Sequence, residues 1–194
     1  MRTARCRWWI AVLLALGAVS CAGRPRGGAT YHDPDMDFSL VQSAAVLPFV
    51  NLTPSHPAGE RVRDVFMTRL QATGGIYVLP AGEVARGVSR ASVSNPAAPT
   101  PEEVVALARI VGADVIVTGT LREYGEVRSG SSASNVVSLS LQMMESRTGR
   151  VVWSGAATRG GVGFADRLFG GGGEAMDVVT ERAVADLLDQ LFEP

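Results

Sequence analysis

The stretch Thr100–Gly119, TPEEVVALARIVGADVIVTG, decides the fold class. Thr100 is a helix N-cap, Pro101 sits at the first helical position, and Glu103 closes a capping box. Val104, Leu107, Ala108 and Val111 then recur at helical spacing, and Gly112 ends the helix. A strand opens at Asp114. Its run Val115-Ile116-Val117 has no polar alternate, as in a central strand covered on both faces. A helix feeding directly into such a strand is half of an α/β unit.

Upstream, Ser43–Val50 has the same character, with Ala44, Val46 and Phe49 among Ala45, Leu47 and Val50. Pro48 has no N–H to give, so pairing fails locally there or the strand ends. Asn51-Leu52-Thr53 has the form of a glycosylation sequon, but Asn and Thr side chains also bond nearby backbone. Pro48, Asn51 and Thr53 are read as a structural turn. Gly59–Thr73 is a helix with Val62, Val65, Phe66 and Leu70 on one face, stopped by Gly74-Gly75. Ile76–Leu79 is a short strand, and Ala81–Arg90 a short helix with Val84 and Val88 inward.

Downstream, the strand from Asp114 runs to Glu126, and RSGSSASN (128–135) reads as a hairpin loop. Val136–Glu145 alternates cleanly, Val137, Leu139, Leu141 and Met143 against Ser138, Ser140 and Gln142. Arg147–Arg150 is a turn, and Val151–Thr158 returns as the partner strand, with Trp153 in the core or in a cross-strand pair. Gly160–Gly173 is glycine-rich. Glu174–Phe192 is a final helix with Val179, Ala183, Leu187 and Leu191 inward. The order β-α-β-α-α-β-β-β-α predicts one α/β domain over residues 41–194, a mixed sheet of about five strands flanked by helices.

The N-terminus sets the location. Arg2, Arg5 and Arg7 precede the apolar run Trp8–Val19, then Ser20-Cys21-Ala22. Such a run is a secretory signal, too short for the ~20 residues that span a bilayer. Ala18-Val19-Ser20-Cys21 resembles a bacterial lipobox, with alanine where leucine is usual. That difference leaves ordinary cleavage nearby as the alternative. The division expected is a lipoprotein signal peptide at 1–20, then lipidated Cys21 with a flexible tether to residue 40. Two or more acyl chains on the cysteine, palmitate among them, make a stable anchor. The alanine after the cysteine points, by resemblance to Gram-negative lipoproteins, to the periplasmic face of the outer membrane. A bacterial lipoprotein does not meet the eukaryotic glycosylation machinery, which favours the turn reading of Asn51 and Thr53.

Composition removes several chemistries. The chain has 18 basic and 19 acidic residues, and every basic one is arginine. With three arginines in the signal, the rest is mildly acidic, which argues against nucleic acid. Without lysine there is no P-loop lysine or Schiff base. Cys6 and Cys21 belong to the signal and anchor, so no thiol is left for a disulfide or zinc. His32 and His56 stand singly, with no nucleophile constellation around either. Asp33, Asp35 and Asp37 copy the start of a calcium loop, but Phe38 and Ala44 occupy its glycine and glutamate places. The glycine runs at 160–163 and 170–173 lack a P-loop ending. No catalytic residue, metal site or cofactor is expected. Phe164, Leu168 and Phe169, in the glycine-rich segment, are either a satellite cluster on the sheet edge or a contact with a membrane or neighbouring subunit.

The lipobox, AVLPFVNLTP (Ala45–Pro54), YVLP (Tyr77–Pro80), LARIVGADVIVTGTLREYG (Leu107–Gly125) and SLSLQMMESRTGRVVWSG (Ser138–Gly155) together resemble the CsgG/PelC/LpoB-like periplasmic lipoproteins. The fold they imply is also that of the TolB N-terminal domain. The resemblance spans about residues 37–192. It implies a non-enzymatic lipoprotein on the periplasmic side of the outer membrane. Some members form rings for secretion of fibre subunits or exopolysaccharide, and others activate a peptidoglycan synthase. A membrane barrel would need hairpins with about 9–11 alternating residues per strand. Neither 128–135 nor 160–173 has that pattern, so pore formation is not implied. The expectation is a homo-oligomeric export scaffold partnered with envelope secretion machinery. The alternative is a monomeric activator of the cell-wall machinery. The tether to residue 40 would extend to at most about 60 Å, short for an activator.

Overall fold

A computed structural model of the chain describes residues 30–129, 132–161 and 173–192. In chain order the described elements are β1 Tyr31–His32, β2 Ser43–Val46, β3 Val50–Asn51, α1 Ala58–Ala72, β4 Tyr77–Val78 and α2 Ala81–Arg90. Then follow α3 Pro101–Val111, β5 Val115–Ser129, β6 Ser132–Glu145, β7 Val151–Gly160 and α4 Met176–Phe192. The strands form one mixed sheet in the order β1-β7-β6-β5-β2-β4, with β3 beside β5. β2 is parallel to β4 and β5, while β5, β6, β7 and β1 are antiparallel neighbours.

The parallel half is covered on both faces. Val46, Val115 and Val117 join Val62, Phe66 and Leu70 of α1 and Leu187 of α4 in the larger core. Ala45, Leu47 and Ile116 point the other way, against Val84 of α2 and Val104, Leu107 and Ala108 of α3. Among the described residues the antiparallel half is covered on one face, where α4 packs on Val137, Leu139, Leu141, Trp153 and Ala157. The clean alternation in 136–145 reflects that one-sided burial.

Local signals placed the helices well. Thr100 and Glu103 form the reciprocal capping box, with Pro101 at the start of α3 and Gly112 closing it at φ 71°. Ser94 and Thr100 donate to the Glu103 carboxylate and hold it below the ordinary range for glutamate. The strands differ from expectation in three places. The sheet has seven strands where about five were expected, because β1 and β3 pair over two residues each. The expected loop 128–135 is drawn into the ladder, which runs to Ser129↔Ser132. Serine and glycine favour turns in isolation, but a partner backbone in register overrides that weak preference. Finally, residues 31–40, read as the end of a tether, lie against the domain, Tyr31–His32 as a strand and Met36 and Phe38 on the larger core.

Pro48 is where the strand breaks. Leu47 still donates to the Val117 carbonyl at 2.9 Å, and pairing resumes at Val50↔Thr120. On the other side of β2, the ladder to β4 ends with Leu79 N–H on the Ala44 carbonyl, because Pro80 leads away into α2. The next carbonyl, Val46, is taken by Arg63 Nη2 of α1 at 2.9 Å. A buried guanidinium therefore stands in for a missing strand partner, and Glu60 accepts from its Nη1 at 3.0 Å.

Candidate functional site

Cys21, Phe164, Leu168 and Phe169 lie outside the described residues. The turn residues are all described. Asn51 ends β3, and Leu52 N–H still reaches the Leu121 carbonyl. Asn51 Oδ1 accepts from Thr53 N–H at 3.0 Å and Thr53 Oγ1 at 2.8 Å, and Nδ2 donates to the Ser55 and His56 carbonyls. One amide thus ties the 52–56 segment to the strand end and aims α1. Asn51→Ala is expected to lower stability by about 1–2 kcal/mol, the loss of a half-buried turn-capping side chain. Urea unfolding at neutral pH checks this, and an unchanged midpoint would remove the role.

The N-terminal strap is the feature the sequence hid. β1 pairs Tyr31↔Ser154 and His32↔Trp153, and Asp33 N–H donates to the Val152 carbonyl at 2.8 Å. The His32 ring meets Trp153 and Phe38 edge-on, and its Nε2 lies 2.9 Å from the Gln190 carbonyl. Thr30 Oγ1 donates to Gln190 Oε1 at 2.7 Å, while Gln190 Nε2 donates to the otherwise open edge carbonyl of Ala156. Asp33 is buried and accepts from Arg150 Nη2 at 3.0 Å. A two-residue strand has no periodicity to detect, and its partners lie more than a hundred residues away.

Two open depressions flank this frame. One, of about 590 Å³, runs past Asp33, Asp35, Asp37, Asp114 and Glu145. Most of its carboxylates are engaged. Asp114 accepts from Ser43 Oγ and the Gln42 and Ser43 N–H groups. Thr148 and Arg147 hold the Glu145 carboxyl below its ordinary range, and Ser39 does the same for Asp37. Among the described residues no cluster of His, Cys, Asp and Glu has the arrangement of a metal site. The second depression, about 510 Å³, lies on the face of the antiparallel strands that no described helix covers. Thr118, Thr120, Ser140, Gln142 and Ser154 form its floor, with Arg122 and Ala97–Pro99 at its sides. His56 is exposed on the 52–56 segment. The described surface pairs no nucleophile with a base.

The model of the GNA1162-like lipoprotein family matches residues 35–191. The chain belongs to that family. No curated protein sequence matches it. Among solved structures, lipoprotein GNA1162 from Neisseria meningitidis is 22% identical, with a TM-score of 0.56 over 79% of this chain and 99% of that one. The PelC dodecamer from Paraburkholderia phytofirmans is 19% identical, with a TM-score of 0.55 over 84% and 94%. The LpoB C-terminal domain from Salmonella enterica gives a TM-score of 0.47 at 16% identity, over 65% and 86%. At these identities the likeness to the GNA1162 and PelC structures is one of fold. The GNA1162-like match begins within the strap, at residue 35, and ends at Leu191 in the last turn of α4. No helix among the described residues is long and apolar enough to cross a membrane.

Proposed function

We propose that this GNA1162-like lipoprotein is a non-enzymatic scaffold, held by lipidated Cys21 to the periplasmic face of the outer membrane. There it assembles with copies of itself to serve envelope export of a polysaccharide or protein. The observation that carries this reading is the strap. With Thr30–His32 tied to Gln190 and β7, only residues 22–29 are left between the anchor and the fold. They extend to about 30 Å at most, half the reach that a tether to residue 40 would allow. A domain held so close to its membrane suits assembly there, not reaching for a distant synthase. The PelC structure of the same fold is a dodecamer, and most carboxylates of the acidic depression are engaged in structural bonds. Phe164, Leu168 and Phe169 are the proposed contact between copies or with the lipid surface.

Native mass spectrometry of the lipidated protein in detergent tests this. A discrete closed oligomer is expected, and serine at positions 164, 168 and 169 is expected to dissociate it. A monomer at micromolar concentration would overturn the scaffold in favour of the monomeric activator.

A further inference from the structure

We propose that the open face of the antiparallel strands binds an acidic glycan, a chain of sugars carrying carboxylates, through a hydroxyl-lined floor and Arg122. That such a glycan is what the protein helps to export rests on the reading above; the binding itself is tested apart from it.

The sheet register lays the floor out in rows. Tyr31 pairs with Ser154, Ser154 with Gln142 and Gln142 with Thr118. In the next row Ala156 pairs with Ser140, Ser140 with Thr120 and Thr120 with Val50. Directly paired residues share a face, and the alternate residues Leu139, Leu141 and Trp153 are the ones in the core under α4. The two rows therefore gather hydroxyls, an amide and the Tyr31 ring on the opposite face. Thr118, Thr120, Ser140, Gln142 and Ser154 have no side-chain hydrogen bond among the described residues. Thr118 is only 7% exposed, yet it lines the depression. A hydroxyl held so deep without a protein partner is satisfied by whatever fills the space above it.

The chemistry of the floor selects the occupant. An apolar helix laid here would strip water from these groups and return no hydrogen bond. A sugar hydroxyl both donates and accepts, so it can satisfy Ser, Thr and Gln side chains alike. Arg122 adds the charge. It is exposed at the side of the depression and has no ion pair among the described residues, whereas Arg128 farther along β5 is paired with Glu126. Among the described residues no carboxylate lines this depression, so the free guanidinium is matched by a carboxylate on the ligand. Tyr31, 45% exposed on the other side of the sheet, offers a ring to the C–H face of a sugar. From β3 across β5, β6 and β7 to β1 the floor spans about 19 Å, at about 4.8 Å per strand. A short run of pyranose rings fits that length.

Titration calorimetry of the full-length lipidated protein, in a detergent without a sugar headgroup, tests this with an oligogalacturonate and its methyl ester. The acid is expected to bind, and the ester about tenfold more weakly, the usual scale of a hydrogen bond to a charged group. Arg122→Gln is expected to weaken the acid about tenfold and leave the ester unchanged. Thr118→Val, close in shape, is expected to weaken both several-fold with the urea midpoint kept within error. Arg61→Gln is the control, an exposed arginine on α1 at the opposite face of the sheet. Loss of binding in Arg61→Gln equal to that in Arg122→Gln would reduce the effect to general charge attraction and overturn the site. No binding of the acid to a protein that forms the closed oligomer would overturn the site and leave the scaffold. Arg122-dependent binding to a monomer would uphold the site and remove the scaffold.

Discussion

Trp153→Ala is expected to remove about 3–5 kcal/mol of stability, the usual cost of deleting a large aromatic from a packed core. Trp153 is 1% exposed and belongs to the core under α4. It is also the wall that the His32 ring meets edge-on. The loss should therefore appear twice, as a lower urea midpoint and as faster proteolysis within residues 30–40, where the strap loses its backing. Trp153→Phe separates packing from polarity. The indole Nε1 is buried with no hydrogen-bond partner among the described residues, so the phenyl ring gives up volume without giving up a bond. A loss of about 1–2 kcal/mol is expected, well below that of alanine. An alanine variant within experimental error of the parent would show that Trp153 does not support the strap.

The second large effect lies four residues earlier. Gly149→Ala is expected to cost about 2–5 kcal/mol, the sum of left-handed strain and a collision. Gly149 has φ 69°, and a Cβ there would stand 2.4 Å from the Pro101 carbonyl oxygen and 2.7 Å from its Cα. Those are backbone atoms at the first turn of α3, so no rotamer relieves the overlap. Gly112→Ala is the control. It has φ 71°, but nothing lies within 4 Å of its Cβ, so it should lose only the strain, about 1–2 kcal/mol. Equal losses in thermal unfolding of the two variants would mean that the contact between the β6–β7 turn and α3 is unimportant. The turn Arg147–Arg150 and the strand that follows it are thus positions where two layers of the fold meet.

Much of the helical layer was legible because its signals are local. The capping box at Thr100 and Glu103 and the glycine at 112 need no knowledge of the fold, since each satisfies a backbone group within a few residues. The inward residues of α4, Val179, Ala183, Leu187 and Leu191, followed from spacing alone, and all are buried. The strap was not legible. Tyr31 and His32 carry no pattern, and Asp33 looks like a solvated acid until Arg150 and the Val152 carbonyl are seen beside it. Nothing in the helical pattern marked Arg63, which is buried where it donates to the Val46 carbonyl. Of the proposed functional residues, the turn at Asn51 and Thr53 has its bonds in place, while the anchor and the aromatic contact lie outside the described residues.

The sequence by itself determined the class of fold, the double cover over β2 and the start of β5, and the single cover over β6. Periodicity records which side chains leave water, and that is decided residue by residue. Only the tertiary structure decided the edges: β1 against β7, β3 beside β5, the ribbon drawn out to Ser129 and Ser132, and Arg63 at the Val46 carbonyl. Those depend on backbone groups whose partners are remote in the chain, and no local pattern announces a partner that arrives only when the sheet assembles.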